Sequence, residues 1–135
     1  MKKETNMLFV YGTLMKGCDN PVARYLHSTQ TFIGEGYFPG ILFQVSFYPG
    51  AVYLPDSKNK VYGHLFEVTQ NKEQLLQKLD DYEGIGSQFN LPNEFKREII
   101  PVVIEGDTIP AYTYLFNNSY SQFPAIASGR FSEEV

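Results

Sequence analysis

The sequence has no tryptophan and only one cysteine, Cys18, in 135 residues. A single thiol rules out an internal disulfide, and so low a count suits a reducing compartment. There is no Lys/Arg run either. Eleven basic residues stand against fifteen acidic ones, for a net charge of -4. Such a chain lacks the positive field that holds phosphate backbones, so no nucleic-acid partner is expected. No stretch approaches the roughly 18 apolar residues of a membrane-spanning helix. Met1-Lys2-Lys3-Glu4 resembles the start of a signal peptide only superficially, because the apolar stretch from Met7 to Tyr11 is too short and stops at Gly12. Heptads, solenoid-spaced repeats, linkers and low-complexity tracts are all missing. These absences predict one soluble, cytoplasmic domain spanning residues 1–135, with neither membrane nor nucleic acid as partner. A homodimer is compatible with the sequence but not indicated by it.

Aromatic residues are plentiful. Ten Tyr and eleven Phe make 16% of a chain that is 43% hydrophobic, which excludes disorder. A chain of this length buries roughly two-thirds of its unfolded surface and needs no metal or disulfide to fold. Most of it reads as strands: Leu8 to Tyr11, Phe32 to Tyr37, Ile41 to Val45, Ala51 to Leu54, Val61 to Val68, and a late hairpin of Phe95 to Ile104 with Ala111 to Phe116, turning near Gly106-Asp107. Pro39-Gly40 and Pro49-Gly50 sit where type II turns place that pair. Pro101 predicts a bulge or a sheet edge. Two helices are expected. One starts at Asn20 with Pro21 in its first turn and runs to about His27. The other has Asn71 and Gln74 spaced as a capping box, Leu75, Leu76, Leu79 and Tyr82 on one face, and Gly84 at its end. The pattern predicts an α+β domain built on a curved, mostly antiparallel sheet or small barrel.

Two segments can carry chemistry. In Tyr11-Gly12-Thr13-Leu14 a buried strand enters a Gly-containing turn, whose backbone N–H groups can receive an anion or a carbonyl oxygen; an ordinary strand end reads the same way. No phosphate-loop spacing follows it. In Asp80-Asp81-Tyr82-Glu83-Gly84 three acids crowd a helix C-terminus, where the helix dipole disfavours negative charge. Entry into a partly buried pocket would raise such a carboxyl further, toward values useful for proton transfer. Glu83 neighbours the apolar stripe, whereas Asp80 and Asp81 follow other directions; a solvated acidic helix end is the plain alternative. His27 and His64 lie far apart without ligand spacing, so no metal is expected and each is read as a structural histidine. Cys18 lacks a neighbouring base, and Ser28, Ser46 and Ser57 lack a nucleophile motif. Tyr112 and Tyr114 share one strand face, and either could point into a cavity.

Taken together and in order, Tyr11-Gly12-Thr13-Leu14 and Leu79-Asp80-Asp81-Tyr82-Glu83-Gly84 resemble the motifs of the γ-glutamylcyclotransferase superfamily, in its AIG2-like branch of small bacterial and γ-glutamylamine-type members. Tyr48-Pro49-Gly50-Ala51-Val52, Val61 to Val68, Ala111 to Leu115 and Ile126-Ala127-Ser128-Gly129 extend the resemblance along nearly the whole chain. It implies a small mixed β-barrel with a few flanking helices, and an enzyme that cyclises a γ-glutamyl group to 5-oxoproline and frees the attached amine. By the same resemblance Glu83 is the general acid/base, Tyr11, Gly12, Thr13 and Leu14 bind the glutamyl moiety, and Tyr114 lines the pocket. No cofactor is implied, since nucleophile and electrophile belong to one substrate. The sequence departs from the pattern at Phe95-Lys96-Arg97, where many relatives have a Tyr followed two residues on by Arg, and at Phe123, in the place of another tyrosine. A non-catalytic module binding a small ligand in the same pocket, and a deacylase of γ-glutamyl-tagged metabolites, stay open as alternatives. The leaving amine is not legible in the sequence.

Overall fold

The computed structural model describes residues 5–132. In chain order the elements are β1 (Met7–Val10), α1 (Pro21–Thr29), β2 (Thr31–Gln44), β3 (Pro49–Tyr53), β4 (Lys60–Glu67), α2 (Lys72–Tyr82), β5 (Phe95–Ile104) and β6 (Asp107–Phe116). Hydrogen bonding orders the strands β3-β2-β4-β1-β6-β5. A pairing of Tyr37 with Val103 then joins β2 to β5 and closes a five-stranded barrel. β1 runs parallel to β6 and antiparallel to β4, and the remaining ladders are antiparallel. The expected mixed barrel with flanking helices is the fold that forms.

Burial follows the period-2 alternation of strands. Phe9 and Tyr11 face the barrel interior with Phe38, Leu65 and Val102. Leu8 and Val10 face outward onto Ala23 and Leu26 of α1 and Leu75 and Leu79 of α2. β1 is therefore covered on both faces, which is why its sequence is continuously apolar rather than alternating. A third cluster, around Phe43, Phe95 and Phe116, packs at one end of the barrel.

Four local features differ from expectation or refine it. Pro39-Gly40 is no turn: it lies inside β2, where that strand passes from β4 (Pro39 opposite Lys60) to β3 (Gly40 opposite Tyr53). Glycine is required there by close approach, because a Cβ on Gly40 would run into the Val52 backbone. Pro49-Gly50 likewise begins β3 instead of turning. Asn71 makes no side-chain cap and adopts the left-handed conformation, with φ 49°. The entry to α2 is held instead by buried Gln30, whose Oε1 accepts from the N–H groups of Thr69 and Gln70 at 2.8 and 3.2 Å. Pro101 causes no bulge. Its register with Pro110 is regular, and β5 meets β2 through one residue pair only, so the proline sits on a sparsely paired edge.

Candidate active site

The turn after β1 is fixed from the α1 side. The Gly12 carbonyl accepts from the Met15 N–H at 3.1 Å, the Thr13 carbonyl from Asn20 Nδ2 at 2.9 Å, and the Leu14 carbonyl lies 2.8 Å from His27 Nε2. In a trans peptide the C=O and the following N–H point opposite ways. The N–H groups of Thr13 and Leu14 therefore face away from those partners. Neither donates to a backbone acceptor among the described residues. His64 anchors the far side of the turn, accepting the Lys16 N–H on Nδ1 at 3.0 Å. Both histidines are thus structural here, as expected, and His27 also stacks on Phe66.

The second wall is the end of α2. Gly84 adopts φ 74°, a conformation suited to glycine, and returns its N–H to the Asp81 carbonyl at 3.2 Å. Ile85 donates to the Asp80 carbonyl at 2.9 Å. These two bonds complete a Schellman motif that stops the helix at Tyr82 and leaves Glu83 as its C-cap. The Tyr82 hydroxyl lies 2.7 Å from Thr13 Oγ1, tying this helix end to the turn.

Between the two walls lies a cavity of about 320 Å³, lined by Tyr11 to Leu14, Tyr82 to Gly84, Phe47 to Pro49, Glu94-Phe95 and Tyr114. Glu83 and the turn thus meet across one space, although some seventy residues separate them in the chain. Among the described residues the Glu83 carboxyl has no hydrogen-bond partner. Loss of water around it, and then the nearby charge of Glu94, push its pKa up to about 8. A carboxyl of this kind is poised to take up or release a proton near neutral pH.

The aromatic residues divide into roles that the sequence left mixed. Tyr11 lines the cavity, but its hydroxyl donates to the Tyr114 carbonyl at 2.6 Å, and burial raises its pKa well above the usual value. Tyr114 also reaches the cavity, and its hydroxyl donates to Asp80 Oδ1 at 2.7 Å. Arg97 Nη1 bridges both Asp80 oxygens at 2.8 and 2.9 Å. This pairing of Asp80 with Arg97, which holds Tyr114 behind the cavity wall, is one that sequence reasoning missed. The Arg two residues after Phe95 was the available signal, but nothing local linked it to an acid 17 positions earlier. Phe95 lines the cavity without a hydroxyl. Phe123 does not line it; it stacks on Phe43 with ring centroids 5.9 Å apart. At the rim the Tyr48 hydroxyl donates to Glu94 Oε1 at 2.7 Å. Among the described residues no group of three or more His, Cys, Asp or Glu is placed to hold a metal ion.

A small closed mixed barrel with two outer helices here carries a half-buried carboxyl that faces a backbone turn across one cavity. The family model for "Gamma-glutamyl cyclotransferase, AIG2-like" matches residues 8–133, and the chain belongs to that family. It is 31% identical over 121 residues to the gamma-glutamylaminecyclotransferase of Rattus norvegicus, covering 79% of this chain and 75% of the relative. The crystal structure of an AIG2-like protein from Mus musculus superposes with a TM-score of 0.67 at 25% identity, over 93% of this chain and 88% of that one. YkqA from Bacillus subtilis superposes with a TM-score of 0.68 at 22% identity; 95% of this chain is covered, but it spans only 40% of that longer protein.

Proposed function

We propose that this protein is a γ-glutamylcyclotransferase that converts a γ-glutamyl amine or γ-glutamyl amino acid to 5-oxoproline and the free amine. The observation that carries the reading is the unpartnered Glu83 carboxyl, set across one cavity from the Tyr11–Leu14 turn. The names of the curated relatives support the same chemistry.

In this reading the ionised Glu83 takes one proton from the substrate's α-ammonium. The freed amine attacks the γ-carbonyl carbon of the same molecule, forming the ring C–N bond and a tetrahedral oxyanion. Glu83 returns its proton to the departing nitrogen, the original amide C–N bond breaks, and the carbonyl reforms as the lactam. The ring nitrogen's remaining extra proton ends on the released amine, so charge and protons balance. The Thr13 and Leu14 N–H groups hold the glutamyl carboxylate or the developing oxyanion. Folding the substrate so that its own amine reaches its own carbonyl supplies much of the rate. A carboxyl raised to about 8 is well matched to an ammonium proton, because the transfer is then nearly balanced.

The test is chromatographic or mass-spectrometric detection of 5-oxoproline from a panel of γ-glutamyl conjugates, with Glu83→Gln alongside. Product from wild type alone supports the assignment, and full activity in the variant sinks it. A non-catalytic small-ligand module is the second reading. Phe95 favours it, since it removes a hydroxyl from the cavity wall. Ligand-induced thermal stabilisation without any product would establish that reading instead.

A further inference from the structure

The cavity's charge is one-sided. Among its lining residues there are two carboxylic acids, Glu83 and Glu94, and no Lys, Arg or His. The two acids occupy different depths. Glu83 is half-buried, whereas Glu94 is exposed, as is Phe47, another residue of the same lining. Glu94 is also held in place. Tyr48 donates to its Oε1, and its backbone carbonyl accepts the Asn117 N–H at 2.7 Å. The loop leading to it is closed by Asn93, which bonds both the N–H and the carbonyl of Gly86, at 3.0 and 3.1 Å. Tyr48, whose hydroxyl holds the carboxylate, packs its ring edge to face against Phe47, with centroids 5.0 Å apart. An acid anchored on a half-buried tyrosine that packs against an exposed phenylalanine is the chemistry that receives an organic cation.

We infer that Glu94, with Tyr48 and Phe47, determines specificity on the leaving-group side of the cavity, favouring a departing amine that carries a further positive charge over one that carries a carboxylate. The inference rests on the cyclotransferase reading above and refines it. With the glutamyl end at the Thr13 and Leu14 amides and its amide bond at Glu83, the leaving group runs outward past Glu94. A second ammonium on that group gains the Glu94 charge and the ring faces. A carboxylate there meets Glu94 with no basic side chain in the lining to offset it. Glu94 also adds to the upward displacement of the Glu83 pKa, so its carboxylate is felt at the reacting centre.

The experiment compares two conjugates of similar length: γ-glutamyl-1,4-diaminobutane, with a free terminal ammonium, and γ-glutamyl-γ-aminobutyrate, with a terminal carboxylate. kcat/KM is measured for both with wild type, Glu94→Gln and Glu94→Lys. Dissociation constants for both are measured by calorimetry on Glu83→Gln, so that discrimination is read even without turnover. The expected wild-type preference for the diamine conjugate is at least tenfold, falling to near parity in Glu94→Gln and inverting in Glu94→Lys. A purely structural role for Glu94 would lower both rates together and leave the ratio alone, and that result overturns the proposal. Equal wild-type rates, or a preference for the carboxylate conjugate, also overturn it while leaving the cyclotransferase reading intact. Failure to bind or convert either conjugate overturns the proposal, and the cyclotransferase reading falls with it only when the wider panel also yields no 5-oxoproline.

Discussion

At the scale of single residues the account turns on Glu83. Removing its acid/base function should cost about 10²–10⁴-fold in kcat for Glu83→Gln. The same substitution should stabilise the fold. A folded pKa of about 8 against the ordinary 4.5 means that the native state binds a proton which the unfolded chain gives up first. This burden is absent below about pH 4.5, grows between 4.5 and 8, and levels off above. Glu83→Gln should therefore gain on the order of 2–4 kcal/mol at pH 8.5 and nothing at pH 4, read by chemical denaturation at both. Equal stability at both values would mean that the carboxyl is not desolvated. Tyr114 is different. Its hydroxyl belongs to Asp80, which Arg97 also holds, so Tyr114→Phe should lose about 1 kcal/mol of stability and keep most of its turnover. A collapse of kcat at unchanged stability would put that hydroxyl on the substrate. In the sequence, helical spacing set Glu83 beside the Leu75-Leu79 stripe, and only the family resemblance gave it a role. Sequence reasoning could not see Asp80 as a partner of Arg97, because that contact depends on how α2 lies across β5 and β6.

At the scale of elements the turn and the helix end are positioned by their neighbours. Asn20 does two jobs: its Oδ1 caps α1 at the Ala23 N–H, at 2.8 Å, and its Nδ2 holds the Thr13 carbonyl. Asn20→Asp keeps the capping oxygen and loses the donor. It should leave thermal stability within about 0.5 kcal/mol of wild type, because Asp caps as well as Asn, while raising KM several-fold. An unchanged KM would show that the turn does not depend on this anchor. Gly84→Ala should cost about 1 kcal/mol through its positive φ, and lower kcat by shifting the adjoining Glu83. Measured stability and kcat that both match wild type would argue against the helix stop as a positioning device. Both helices were legible because their signals are local: Asn20-Pro21 at one start, Gly84 at the other end. β1 was legible as an unbroken apolar run. The two Pro-Gly pairs misled because turn propensity is weak against a fully paired strand, and β2 needed glycine at its change of partner for closeness rather than for turning. Asn71 misled for a related reason, since Gln30, forty residues away, already secures the entry of α2.

At the scale of the molecule, closure of the barrel does what no segment can. The parallel alignment of β1 with β6 brings the Tyr11–Leu14 turn to the same end as Tyr114, and α2, packed over β1, delivers Glu83 there. The motif pair in the sequence signalled the family, but its convergence on one cavity is a property of the closed fold. No helix among the described residues is long and apolar enough to cross a membrane. The whole site should titrate as one acid/base centre. Wild-type kcat/KM should rise with pH through about 8 as Glu83 ionises into its base form. In Glu94→Gln the rise should come at lower pH, since a neighbouring negative charge has been removed. The most direct test is the pH dependence of 5-oxoproline release from a γ-glutamyl amine, with wild type and Glu83→Gln measured side by side. The account predicts a wild-type rate that climbs through about pH 8 and no comparable rate in the variant at any pH. A variant that turns over like the wild type would contradict it.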